Sequence, residues 1–111
     1  MPITREQFDM GIDQKTQEWM EKIKTFLVER KDEAFTREEI RQNYHKDLLG
    51  LLTDAEKEFV RSSGGEDPFR YLTDERSAFD AALEKLVEMD EVEEKRIRGE
   101  DYYSGIEVSE L

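Results

Sequence analysis

Lys95, Arg96 and Arg98 surround a turn signal at Gly99, and closely spaced cations at an exposed turn suit pairing with nucleic-acid phosphates. Glu93, Glu94, Glu100 and Asp101 flank them, so ion pairing between the two arms of a hairpin is the competing use of the same charges. Further upstream, Arg76 and Ser77 offer a cation and a hydroxyl to phosphate oxygens or base edges. The adjacent Tyr102 and Tyr103 could stack on bases, although on a strand one of two neighbours turns to the core. A second group of residues is apolar. Trp19 is the single tryptophan, a residue type enriched at interface anchors. Leu48, Leu49, Leu51 and Leu52 surround Gly50 in a patch that either seats a segment on the core or receives a partner. His45 is the only histidine and cysteine is absent, which excludes a histidine cluster or thiolate zinc site. No serine, cysteine or carboxylate pair stands at a defined spacing from His45, and no glycine-rich phosphate loop is present. The expectation is no enzyme, no metal and no cofactor.

These residues are positioned by elements that the sequence marks at their starts. Thr4 with Gln7, Thr36 with Glu39, and Thr53 with Glu56 each have the spacing of a capping box, in which two side chains satisfy backbone N–H groups reciprocally. The first box, followed by Gly11, belongs to an N-terminal arm over residues 1–13. Asp13 then suits the N-cap of a helix over about 14–31, whose apolar stripe is Trp19, Met20, Ile23, Phe26 and Leu27. A brief extended piece at Ala34 and Phe35 precedes a short helix over about 37–44 with Ile40 and Tyr44 on one face. Thr53 opens a small helix over about 54–63 that Gly64 and Gly65 end. Phe79, Ala82, Leu83, Leu86 and Val87 define a core-facing helix over about 74–89. Val92, Ile97, Tyr102, Tyr103 and Ile106 then predict a hairpin spanning 92–106. Val92 and Ile97 differ in parity, so burying both needs a bulge and a regular strand leaves Ile97 exposed. Residues 107–111 form an acidic tail.

The order helix, short strand, helix, helix, hairpin, with AFTREEI opening the second helix and ALEKLVEMDEVEEKRIRGEDYY joining the last helix to the hairpin, resembles the winged helix-turn-helix superfamily over about residues 14–106. The resemblance implies a single, mainly α domain with a small β-hairpin and a three-helix core. In that family the third helix enters the major groove and the wing touches backbone or minor groove. Here residues 45–72 separate the second helix from the third. They are read as an insertion carrying its own short helix. The resemblance also implies a DNA-binding, transcription-regulator-like protein, with Arg76, Ser77, Lys95, Arg96 and Arg98 as the candidate nucleic-acid contacts and double-stranded DNA as partner. Regulators of this kind commonly dimerise, which would use Trp19 together with Leu48, Leu49, Leu51 and Leu52.

Charge argues in the other direction. The 111 residues carry a formal net charge of −12 from 29 acidic and 17 basic side chains, which repels nucleic acid and anionic lipid at long range. Residues 74–90 hold Arg76 and Lys85 against Asp74, Glu75, Asp80, Glu84, Glu88 and Asp90, two against six, a net charge of −4. A groove-inserted helix would carry that charge among phosphates. The alternative function is therefore an acidic winged-helix module for protein–protein interaction, without DNA. The helix over 14–31, with five basic against three acidic residues, and Arg37 with Arg41 on the next helix, supply whatever basic face exists. No apolar run approaches the roughly 18 residues of a membrane span, and MPITREQF lacks a basic segment followed by an apolar one. A cytoplasmic protein with no membrane partner is expected.

Overall fold

The computed structural model describes residues 2–62, 64 and 68–106; the expected acidic tail at 107–111, and Gly65 of the glycine pair, lie outside them. All three capping boxes form. Thr4 and Gln7 start α1 (Arg5–Met10), which ends at Gly11 in the left-handed conformation, φ 73°. Asp13 caps α2 (Gln14–Glu29) by accepting from the Thr16 N–H at 2.8 Å, and those hydrogen bonds hold its carboxyl below the ordinary range. α2 buries the expected stripe of Trp19, Met20, Ile23, Phe26 and Leu27 and ends slightly earlier than the apolar spacing predicts.

Thr36 and Glu39 start α3 (Arg37–Gln42), directly after the two-residue strand β1 (Phe35–Thr36). The helix expected to run to 44 stops at Gln42, and a separate helix, α4 (His45–Leu49), follows. The break has a packing cause: Tyr44 turns into the core with its hydroxyl donating to the Lys22 carbonyl at 2.9 Å. Leu48, one turn further on, is buried with it. Thr53 and Glu56 then open α5 (Asp54–Ser62), after which Gly64 has φ 81°. A short 3₁₀ turn, Pro68–Arg70, drives Phe69 into the core, 5.7 Å from the Trp19 ring and 5.3 Å from that of Phe79. Phe69 is what seats the 45–72 segment, a role the leucine pattern did not reveal.

α6 (Thr73–Glu88) lays Ala78, Phe79, Ala82, Leu83 and Leu86 against α2. It closes with Asp90 at φ 59°, the Asp90 N–H donating to the Val87 carbonyl at 3.1 Å and the Glu91 N–H to the Leu86 carbonyl at 2.9 Å. That pair of bonds is a Schellman ending with aspartate where glycine is usual. The chain then enters the hairpin β2 (Val92–Ile97) and β3 (Glu100–Gly105), and the antiparallel sheet has the order β1-β3-β2.

Arg98 and Gly99 form the two-residue loop, both with positive φ, 53° and 82°, as a hairpin turn matching strand twist demands. Pairing runs unbroken from Val92↔Gly105 to Ile97↔Glu100. The parity question is thus answered without a bulge: Val92 is buried and Ile97 is 52% exposed. Tyr103 is the tyrosine that faces the core, and Tyr102 is half-buried. Gly105 lets β3 cross α2 closely, since a Cβ there would lie 2.7 Å from the backbone of Leu27 and Val28. The described residues thus form a mainly α structure with a small three-stranded sheet.

Candidate functional site

The nucleic-acid candidates fall on two elements. Arg76 and Ser77 are exposed near the start of α6, and Lys95, Arg96 and Arg98 lie at the far end of the hairpin. The hairpin cations are largely engaged within the chain. Lys95 Nζ is 3.3 Å from Glu93, and Arg96 pairs across the strands with Asp101 at 3.7 Å while donating to the Gly99 carbonyl at 3.3 Å. These are exposed pairs, of small individual worth. Among the described residues Arg98 alone of the three makes no such contact.

Several cations expected to build a basic face on α2 and α3 are also engaged within the chain. Arg37 and Arg41 of α3 both reach Asp80 of α6, at 3.3 and 3.0 Å, and Arg37 also donates to the Tyr103 hydroxyl at 3.3 Å. On α2, Lys15 pairs with Glu75 at 3.0 Å and Lys24 with Glu91 at 2.8 Å, while Arg30 lies over the Phe26 ring. Each pair joins elements distant in sequence, so each ties two parts of the fold together while giving a cation a carboxylate partner within the chain. A groove of about 610 Å³ between the Gly11–Thr16 segment and α6 shows the result. Its rim carries Asp13, Asp74, Glu84 and Glu88 against Lys15 and Lys85, and both lysines are already paired, Lys85 with Glu88 at 3.5 Å.

The interface candidates divide differently. Trp19 is only 3% exposed and sits at the centre of an aromatic cluster, 5.0 Å from the Tyr44 ring and 5.4 Å from that of Phe79. Leu48 and Leu52 are buried too. Trp19, Leu48 and Leu52 are therefore core residues and do not form an exposed dimer face: the core needs their apolar area more than any surface can use it. Leu49 is half-buried, and Leu51 is 60% exposed.

What the sequence did not reveal is that Trp19, Leu48 and Leu51 meet around one pocket of about 230 Å³ between α2, α4 and the start of α6. Tyr44 completes its aromatic wall, and Glu18, Asp47 and Glu75 bring three carboxylates to it. Glu75 is the best fixed, accepting from Trp19 Nε1 at 2.8 Å and from Lys15. Burial alone would raise its carboxyl, but the hydrogen bonds from Trp19 and Lys15 outweigh that and hold it below the ordinary glutamate value. Burial likewise pushes the Tyr44 hydroxyl up to about 12. The pocket's own cation is Lys22, whose ammonium lies 4.8 Å from the centre of the Trp19 ring.

No protein-family model matches the chain, and no curated protein or solved structure is significantly similar to it. No helix among the described residues is long and apolar enough to cross a membrane.

Proposed function

We propose that this chain is a winged-helix-like interaction module that binds a basic protein surface rather than a DNA duplex. The order of elements, with a short strand before α3 pairing to the second arm of a terminal hairpin, supports the winged-helix resemblance. The observation that carries the choice of partner is the clamping of Arg37 and Arg41 onto Asp80. It withdraws the cations nearest the would-be reading helix and leaves that helix with an outer face of Asp74, Glu84 and Glu88 against Arg76. Such a face repels phosphates and steers cationic proteins toward it.

One observation favours DNA as a second reading. Arg98 occupies the left-handed region at the hairpin tip, where a non-glycine residue costs about 1–2 kcal/mol, and its guanidinium stays uncommitted among the described residues. A basic wing tip is what that reading requires, and a transcription-regulator-like role would follow from it.

A titration followed by amide chemical shifts separates the two. A short lysine- and arginine-rich peptide should move the amides of α6, and a mixed-sequence duplex at low salt should move none. Salt-sensitive duplex binding that Arg96→Glu with Arg98→Glu abolishes would reverse the conclusion and establish the wing as a nucleic-acid contact.

A further inference from the structure

Resting on the interaction reading, we propose that the pocket walled by Trp19, Tyr44, Leu48 and Leu51 receives an unmodified lysine side chain of the basic partner. The walls suit the two halves of that side chain. Leu51, at the rim and 60% exposed despite its size, offers apolar surface to its methylene stem. Glu18, Asp47 and Glu75 supply negative charge around the aromatic wall, and an ammonium near such rings gains both ion pairing and cation–π attraction.

The pocket already holds a stand-in for its ligand. Lys22 places its ammonium 4.8 Å from the Trp19 ring centre, and among the described residues it forms no ion pair that would anchor it there. Its side chain is exposed, so it can swing into solvent when a partner's lysine arrives. Exchange of one ammonium for another keeps the charge around the three carboxylates unchanged. A partner that brings further basic residues would meet the acidic face of α6, because Glu75 belongs both to that helix and to the pocket.

The decisive experiment titrates the full chain with a short peptide of alternating lysine and alanine, and with the same peptide acetylated on every lysine. Trp19 is the only tryptophan, so its emission reports the pocket directly, and amide shifts report the rest of the molecule. The lysine peptide should change Trp19 emission saturably, and acetylation should weaken binding about tenfold or more, as expected for losing one cation–π contact and its ion pairs. Asp47→Asn with Glu18→Gln, both at exposed positions, should weaken it several-fold with an unchanged circular-dichroism spectrum. Lys22→Ala should strengthen it, since the internal competitor is gone. Shifts confined to α6, with Trp19 emission and the amides of Asp47–Leu51 unmoved, would overturn the pocket and leave the interaction module standing. Absence of any shift with the lysine peptide would overturn both. Equal binding of the acetylated peptide, or weaker binding by Lys22→Ala, would overturn recognition of lysine by displacement.

Discussion

Replacing Asp80 by asparagine removes one negative charge that two arginines share, and the cost can be worked from the geometry. Arg41 Nη2 lies 3.0 Å from Asp80 Oδ1 with the arginine side chain 19% exposed, and Arg37 Nη1 lies 3.3 Å away with its side chain 34% exposed. For charges about 4 Å apart, an effective dielectric between 20 and 80 gives roughly 1–4 kcal/mol of attraction per pair. Desolvation and side-chain ordering remove most of that at partly exposed sites, leaving up to about 1 kcal/mol each. Asparagine keeps one acceptor oxygen, but the two guanidiniums now repel each other across it. The expected loss is therefore about 1–2 kcal/mol, or a Tm lower by roughly 4–8 °C for a domain of this size. Urea unfolding of Asp80→Asn, Arg41→Gln and the double variant measures it. About half of the loss should disappear when Arg41 is already glutamine, because the Arg41–Asp80 pair is then gone while the Arg37–Asp80 pair remains. A loss below about 0.3 kcal/mol, or full additivity of the two changes, would refute the clamp as a stabilising contact. It would also weaken the case that these arginines are withheld from a ligand.

Gly105→Ala should destabilise by more than about 1 kcal/mol, because the new Cβ meets backbone atoms of Leu27 and Val28 at 2.7 Å that cannot step aside as a side chain would; thermal unfolding checks this, and a neutral result would mean that β3 sits further from α2. Glu75 gives a pH dependence of definite sign. Its carboxyl is held below the ordinary value of 4.5, so it contributes stability that is present above pH 4.5 and lost as pH falls through its lower folded value. Urea midpoints taken from neutral pH down to about pH 3 should fall less steeply in Glu75→Gln than in the wild type, and parallel curves would remove the Trp19–Glu75–Lys15 contact as the cause.

Local signals were legible where one element determines its own form. The three capping boxes, the Asp13 cap and the apolar stripes of α2 and α6 depend on residues three or four apart, and each formed at its expected place. The break between α3 and α4 was not legible, because Tyr44 is suited both to continuing a helix and to leaving it. Its choice is made by the Lys22 carbonyl and the Trp19 ring, contributed by a different helix. Phe69 was hidden for the same reason, as an aromatic residue in a short irregular segment has no periodicity to announce its burial. The site was the least legible part. Trp19 and the leucines were identified as apolar candidates, but sequence spacing does not say that Leu48 turns inward while Leu51 stays at the rim of the same pocket.

Charge counting along single helices misjudged the surface in an instructive way. α2 looks basic and α6 acidic when each is summed alone, yet Lys15 and Lys24 of α2 end on Glu75 and Glu91, while Arg37 and Arg41 of α3 end on Asp80. Because these pairs cross between elements, four basic side chains are matched at the seams of the fold by three carboxylates, and the larger excess of negative charge lies elsewhere on the chain. Electrostatic steering depends on that remainder and not on the charge of any one helix. The net charge of −12 follows from 29 acidic against 17 basic side chains, and the four cations paired across elements stay partly exposed at the edges of those contacts. On the proposed reading, a partner rich in lysine meets Asp74 and Glu84 along α6 and Glu18 and Asp47 at the Trp19 pocket, whereas a duplex finds one uncommitted hairpin arginine, Arg98, among the described residues.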